Sequence, residues 1–188
     1  MSLPAQVRLF VSGGPDRDED REVIGRLLAE LPVNVGWVIK RTPDIDSVAE
    51  CHLFLILLGA DIVAPVGLEL WWARRTEKPV LAYHSETLRT PAGLVFLQDN
   101  AMLGWTRYAN PLALRRPVAR DLTRFLLGHA DRHGLTLPDI ERLHRLMATL
   151  DEPAAGAMAV KATGAGGGGV ILAPGKDQPA GARLIGDQ

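Results

Sequence analysis

The chain carries one acidic side chain in a setting that suits chemistry. Glu69 lies in the stretch GLELWWARRTE, which is rich in helix formers and follows the most apolar run of the sequence. A carboxylate in the first turn of a helix after a central strand points into the crevice beyond the strand end, where ligands bind in open α/β sheets. That position makes Glu69 the candidate catalytic residue. The competing reading is a helix-terminus charge, since a first-turn acid is stabilised by the helix dipole by about 0.3 to 1 kcal/mol with no functional role.

A second group lies upstream. Ser12-Gly13-Gly14 closes the apolar run VRLFVS and precedes Asp16. Small residues and free backbone N–H groups at a strand-to-helix turn form a place for an anionic group to rest. The stretch has neither the GxGxxG spacing nor the GxxxxGK[ST] of a phosphate loop, and a strand-to-helix turn favours glycine in any case. Gly59 and Asp61 follow the apolar run, and Trp72 stands beside Glu69 on the same helix. Adjacent helical positions diverge by about 100°, so at most one of Trp71 and Trp72 faces a crevice. His84 closes a later strand and is a candidate donor to a ligand.

These residues must be held by a scaffold, and the apolar pattern describes one. Val7 to Ser12 and Val33 to Lys40 are expected strands, and His52 to Gly59 (HLFLILLG) has the continuous apolar character of a strand buried on both faces. Val80 to His84 and Ala101 to Thr106 complete a set of five. Between them, Val23, Ile24, Leu27, Leu28 and Leu31 recur at helical spacing, Thr42-Pro43-Asp44 starts a short helix, and 67–77 forms another. Leu114, Val118, Leu122, Phe125 and Leu126 line one face of a longer helix, and a further helix starts near Pro138 with Thr136 as its cap. Alternation of this kind predicts an α/β fold: a flavodoxin-like, doubly wound parallel sheet of order 2-1-3-4-5. The switch point then gathers Ser12 to Asp16, Gly59, Asp61 and Glu69, with Tyr83, His84, Ser85, Tyr108 and Asn110 at the neighbouring strand ends.

Composition bounds the function. The 188 residues include 21 Lys plus Arg against 22 Asp plus Glu, a net charge of -1, which disfavours nucleic acid as a partner. One Cys and five scattered His give no metal-binding spacing, so no metal is expected. Cys51, at the start of the buried strand, reads as inert core, and the arginines at 115, 116, 120 and 124 as a solvated helix face. No apolar run spans a membrane and the N-terminus has no leader pattern, so the expected location is cytoplasmic, with no membrane partner. Glycine is concentrated after Gly156. The expected organisation is an α/β domain over 1–132, an added helix over 133–152 and a Gly-rich tail over 153–188, either a linker or a small β appendage that the core does not need.

The order of motifs resembles a known group. VRLFVSGG with Asp20-Arg21-Glu22, then CHLFLILLG, then GLELWWARRTEKPVLAY, is similar to the TIR-like and nucleoside 2-deoxyribosyltransferase-like superfamily, particularly domains of bacterial defence and signalling proteins. Residues 7 to about 128 carry the resemblance, including Trp105 to Tyr108 and Asn110-Pro111. It implies a flavodoxin-like sheet whose catalytic members break an N-glycosidic bond in a nucleoside or in NAD with a Glu at the position of Glu69. Cleavage develops positive charge on the ribose, which a fixed carboxylate stabilises or traps. No cofactor is implied; NAD or a nucleotide is substrate or ligand. Departures are His52 and Val63 where such members carry Asp, with Asp61 the nearest substitute, and Val66-Gly67-Leu68 where Ser or Thr often precedes the Glu. The alternative is a non-catalytic sensor or adaptor that uses the same fold to bind a nucleotide, a protein or a second copy of itself.

Overall fold

The computed structural model describes residues 6–33, 36–40 and 45–152. They belong to a unit that ends at Pro153; residues 154–188 form a second unit, and the expectations for the tail lie outside the described residues. The strands are β1 (Gln6–Gly13), β2 (Gly36–Lys40), β3 (Leu53–Leu58), β4 (Val80–Ser85) and β5 (Thr106–Tyr108). The helices are α1 (Asp18–Glu30), α2 (Ile45–Glu50), α3 (Ala64–Arg75), α4 (Pro91–Asp99), α5 (Pro111–Gly128) and α6 (Leu137–Asp151). All paired strands run parallel, in the order β2-β1-β3-β4-β5.

Strand β3 runs between β1 and β4, with Leu55 opposite Val11 on one side and Leu81 on the other. Every residue from Leu53 to Leu58 is buried, as a strand covered on both faces requires. The two faces belong to separate clusters. Leu53, Leu55 and Leu57 pack with Ile24 and Leu28 of α1 and Leu122 and Leu126 of α5, whereas Phe54 and Ile56 pack with Val66 and Leu70 of α3. Phe54 stacks on Phe10 at 5.5 Å between ring centroids. Cys51 is a free, buried thiol whose pKa burial pushes up to about 11, so it is unreactive.

Several boundaries differ from those read in the sequence. The expected strand at Ala101 to Thr106 is instead a 3-10 turn at Ala101–Leu103, and β5 begins at Thr106. Gly104 adopts φ 65°, a left-handed conformation that ends the turn and that glycine accepts without strain. Strand β2 starts at Gly36 rather than Val33, and α2 is described only from Ile45. Helix α3 begins at Ala64 rather than Gly67, because Pro65 fits its first turn without losing a hydrogen bond. Helix α4 has no counterpart in the sequence reading; Thr90 caps it by accepting from the Gly93 N–H at 3.0 Å.

The arginines of the solvated face of α5 also make ion pairs and hydrogen bonds. Arg115 pairs with Glu30 of α1, Arg116 donates to the Leu150 carbonyl at 2.8 Å, and Arg124 pairs with Asp121 at 3.0 Å. Those bonds tie α1, α5 and α6 into one layer, which Leu143 of α6 completes from inside the core. Thr136 and Asp139 form a reciprocal capping box at the start of α6. The bond from Thr136, aided by Arg142, holds the Asp139 carboxylate well below the ordinary range, at about 2. Thr136→Ala should therefore cost about 1 kcal/mol in urea unfolding at pH 7. The depressed pKa makes the Asp139 contribution complete above the unfolded value near 3.9, and it is lost as pH falls through about 2. The loss caused by Thr136→Ala should shrink over that window.

Candidate functional site

Strand β1 ends in Ser12 and Gly13, and α3 returns over the sheet so that Glu69 meets them. The Ser12 hydroxyl donates to Glu69 Oε2 at 2.6 Å, a contact between residues far apart in sequence and both buried. Glu69 is only 5% exposed, which is unusual for a carboxylate without a direct cation bond. Burial pushes its pKa up, while the Ser12 hydrogen bond and the positive charge of Arg21 pull it down. Burial is the largest of these effects, so the net direction is upward from the ordinary glutamate value.

Glu69 is the sixth residue of α3 and not in its first turn, because the helix starts earlier than the sequence reading placed it. That removes the helix-dipole account of this residue, since the dipole acts mainly on the first turn. A buried acid in the second turn, facing a cavity, has no purely local reason to be Glu.

The cavity measures about 360 Å³, within the range of small-molecule sites, and its walls include Ser12, Gly13, Asp18, Arg21, Val66 and Glu69. It lies at the carboxyl ends of β1 and β3, where the strand order reverses direction. Arg21 was not singled out from the sequence. Its side chain is 11% exposed, donates to the Gly13 carbonyl and bonds to Asp18 Oδ1 at 2.5 Å, while its Nε has no partner. It thus clamps the turn between β1 and α1 and places a positive charge beside the carboxylate. The signal for it was present in Asp18 and Arg21 at i, i+3 spacing on the first helix, a common ion-pair arrangement that by itself names no function.

Other predicted residues divide into neighbours and outliers. Gly14 and Asp16 continue the turn from Gly13. The Asp16 carboxylate lies directly over Gly59, so a Cβ at 59 would displace it from the turn. Asp16 also pairs with Arg17 at 3.3 Å. Asp61 faces away from the cavity: its Oδ1 accepts from Thr90 at 2.7 Å and from the Ile62 N–H at 2.8 Å, which fastens the start of α4. Trp72 packs against the cluster under α3 rather than against a ligand space, and Trp71 is the exposed one of the pair. His84 lies in a separate shallow recess with Trp105, and Arg89 donates to its Nδ1 at 2.8 Å. Asp61, Trp72 and His84 thus have partners outside the cavity and are not among the residues that line it.

A further network escaped the sequence reading. Asp20 is 2% exposed and accepts from the Tyr108 hydroxyl at 2.7 Å and from Arg17 at 3.2 Å. It joins the start of α1 to the end of β5 and steadies the turn that carries Ser12 and Gly13. Tyr83 similarly donates to Asp121 at 2.8 Å and faces α5, not the crevice. A larger cleft of about 600 Å³ lies along α3 between Trp71, Arg74 and Phe96, but no carboxylate lines it. Among the described residues no group of three or more His, Cys, Asp or Glu side chains is arranged to hold a metal ion.

With this geometry in hand, known proteins offer limited company. A solved structure, a Clostridium botulinum CMP N-glycosidase named BcmB, matches with a TM-score of 0.44 and 18% identity, covering 59% of this chain and 97% of that one. No protein-family model and no curated protein matches the sequence. Among the described residues no helix is long and apolar enough to cross a membrane.

Proposed function

We propose that the chain is an N-glycosidase acting on a nucleoside, a nucleotide or NAD, with Glu69 as its catalytic carboxylate. The observation that carries this reading is the buried Glu69 carboxylate, oriented by the Ser12 hydroxyl at 2.6 Å, in the wall of a cavity at the switch of strand order. As the bond from C1′ to the base nitrogen breaks, its electron pair leaves with the base and positive charge builds on the ribose. A preorganised carboxylate opposes that charge, or bonds to C1′ until water replaces it. Water then supplies the hydroxyl on C1′ and the proton on the base. The Ser12 hydrogen bond fixes which carboxylate oxygen faces the substrate, and the positive charge of Arg21 opposes part of the effect of burial on the group.

The setting implied by the resemblance, bacterial defence or signalling, belongs to the same proposal. The test is direct. Purified protein is incubated with NAD, nucleosides and nucleoside 5′-monophosphates, and free base is followed by chromatography. Base release from one member of the panel, absent with Glu69→Gln, is the expected result. No release from any member overturns the catalytic reading in favour of a nucleotide-binding or adaptor module.

A further inference from the structure

Far from the cavity, three imidazoles gather at the amino end of the sheet. His52 immediately precedes β3, while His129 and His133 lie in the connection between α5 and α6, residues 129–136. The His52 and His133 ring centroids are 5.3 Å apart, those of His129 and His133 are 6.4 Å apart, and Phe125 touches the latter two. His133 is 3% exposed, and its Nε2 is buried with no hydrogen-bond partner.

The hydrogen bond to His52 specifies an uncharged ring. The Arg8 backbone N–H donates to His52 Nδ1 at 3.1 Å, which demands a lone pair on that nitrogen. A proton there would set two donors against each other. The His129 Nδ1 lies 2.8 Å from the Phe125 carbonyl and donates to it. The charged groups acting on His52 are Arg132, Arg8 and Lys78; those acting on His133 are His52, Arg132 and His129. Glu50, at the end of α2, is bound to Arg8 at 3.1 Å, and Asp131 lies in the connection between His129 and His133. His52 and His133 thus face burial and like charge, and a proton on the second of them meets the charge of the first.

We propose that His52 and His133, with the His129 ring packed beside them, form a proton-operated latch, which holds the α5–α6 connection on the sheet while His52 and His133 are neutral and releases it in mild acid. Helix α6 is otherwise held by Leu143 in the core, by Arg142 donating to the Pro32 carbonyl at 2.8 Å and by Arg116 on the Leu150 carbonyl. Those bonds involve arginines and carbonyls that do not titrate in this range, so release begins at the connection. Burial first, and the neighbouring cations second, hold the His52 and His133 pKa values below the ordinary 6.5. With folded values depressed, the stabilisation is complete above the unfolded pKa and is lost as pH falls through the folded ones.

Hydrogen exchange of the full chain tests this. The His133 amide bonds the His129 carbonyl and the Leu135 amide bonds the Ala130 carbonyl, so both report on the connection. After correction for intrinsic rates, their protection should fall about tenfold or more between roughly pH 7 and pH 5, while the β3 amides stay protected. The double variant His52→Asn, His133→Gln, which keeps an acceptor toward Arg8 but cannot take up a proton, should hold its protection to pH 5. Protection in the unmodified chain that does not change with pH, or that falls equally in the variant, overturns the latch. If the variant does not fold, imidazole titration of the unmodified chain by NMR decides: apparent pKa values of His52 and His133 below 6.5 support the latch, and values at or above it refute it.

Discussion

Glu69→Gln should lower base release by about 10²-fold or more and leave the fold intact. Loss of one preorganised electrostatic group at a reacting centre typically costs on that scale, and here the charge itself is the catalytic element. Gln conserves volume and still offers an oxygen to the Ser12 hydroxyl, so the wall of the cavity keeps its shape. A structural Glu predicts a different pattern. Were its charge holding the fold, Gln would weaken the bond from Ser12 and destabilise the protein. The pKa of Glu69 is raised by burial, which means the folded state resists its ionisation. The stability associated with the protonated form is present below the unfolded value near 4.3 and is lost as pH rises through the folded one. At pH 7 the Gln variant should therefore melt at the same temperature as the parent or above it, because it carries no buried charge. Activity has the opposite dependence on the same group. The carboxylate is the working form, so kcat/KM should fall on the acid side at a pH above the ordinary glutamate range. Equal turnover in the two proteins, or a clear drop in melting temperature with Gln at pH 7, refutes the catalytic assignment.

The central parts of this arrangement were legible in the sequence for a simple reason. A strand buried on both faces is an unbroken apolar run, and the β-type composition of Leu53 to Leu58 between turn signals gives β3 that signature. Glycine and proline punctuation then fixed where β1 and β3 end, and hence which residues meet at the crevice. Glu69 and Ser12 fell into that set before any contact was known. The errors arose where local signal and tertiary role part company. Ala101 to Leu103 is apolar enough for a strand, but Gly104 at φ 65° closes a turn there instead. Helix α4, with its exposed Leu94 and Val95, lacks the one-sided stripe by which an amphipathic helix is recognised.

The site itself was only half legible. Asp61 and His84 stand at strand ends and Trp72 beside Glu69 on its helix, positions that say where a residue is along the chain but not which way its side chain turns. Asp61 accepts from Thr90 at the start of α4, Trp72 packs against the cluster beneath α3, and Arg89 donates to His84. Arg21 and Asp20 were passed over as ordinary first-helix charges. Their burial, 11% exposure for the Arg21 side chain and 2% for Asp20, separates them from a solvated face, and burial of one side of α1 depends on α5 and β5, which lie far along the chain. A pair of opposite charges at i, i+3 spacing has the same sequence signature whether solvent or a cavity faces it.

Leu55→Ala should destabilise the protein by about 2 to 5 kcal/mol, the usual cost of a fully buried leucine truncated in a rigid setting. Leu55 is 0% exposed and stands on the middle strand, between Val11 and Leu81, under the layer formed by α1 and α5. Strands fixed by hydrogen bonds on both sides have little freedom to close in on a cavity, which places this site toward the upper part of that range. The comparison that isolates the cause is Ile56→Val on the opposite face. It removes one methyl group from the cluster beneath α3 and should cost only about 0.5 to 1.5 kcal/mol. Denaturant unfolding of both variants, with unchanged slope against denaturant, measures the difference. A loss below about 1 kcal/mol for Leu55→Ala would mean that the α1 and α5 layer collapses onto the strand. That layer would then be too plastic to hold the Ser12 turn in the geometry that the glycosidase reading requires.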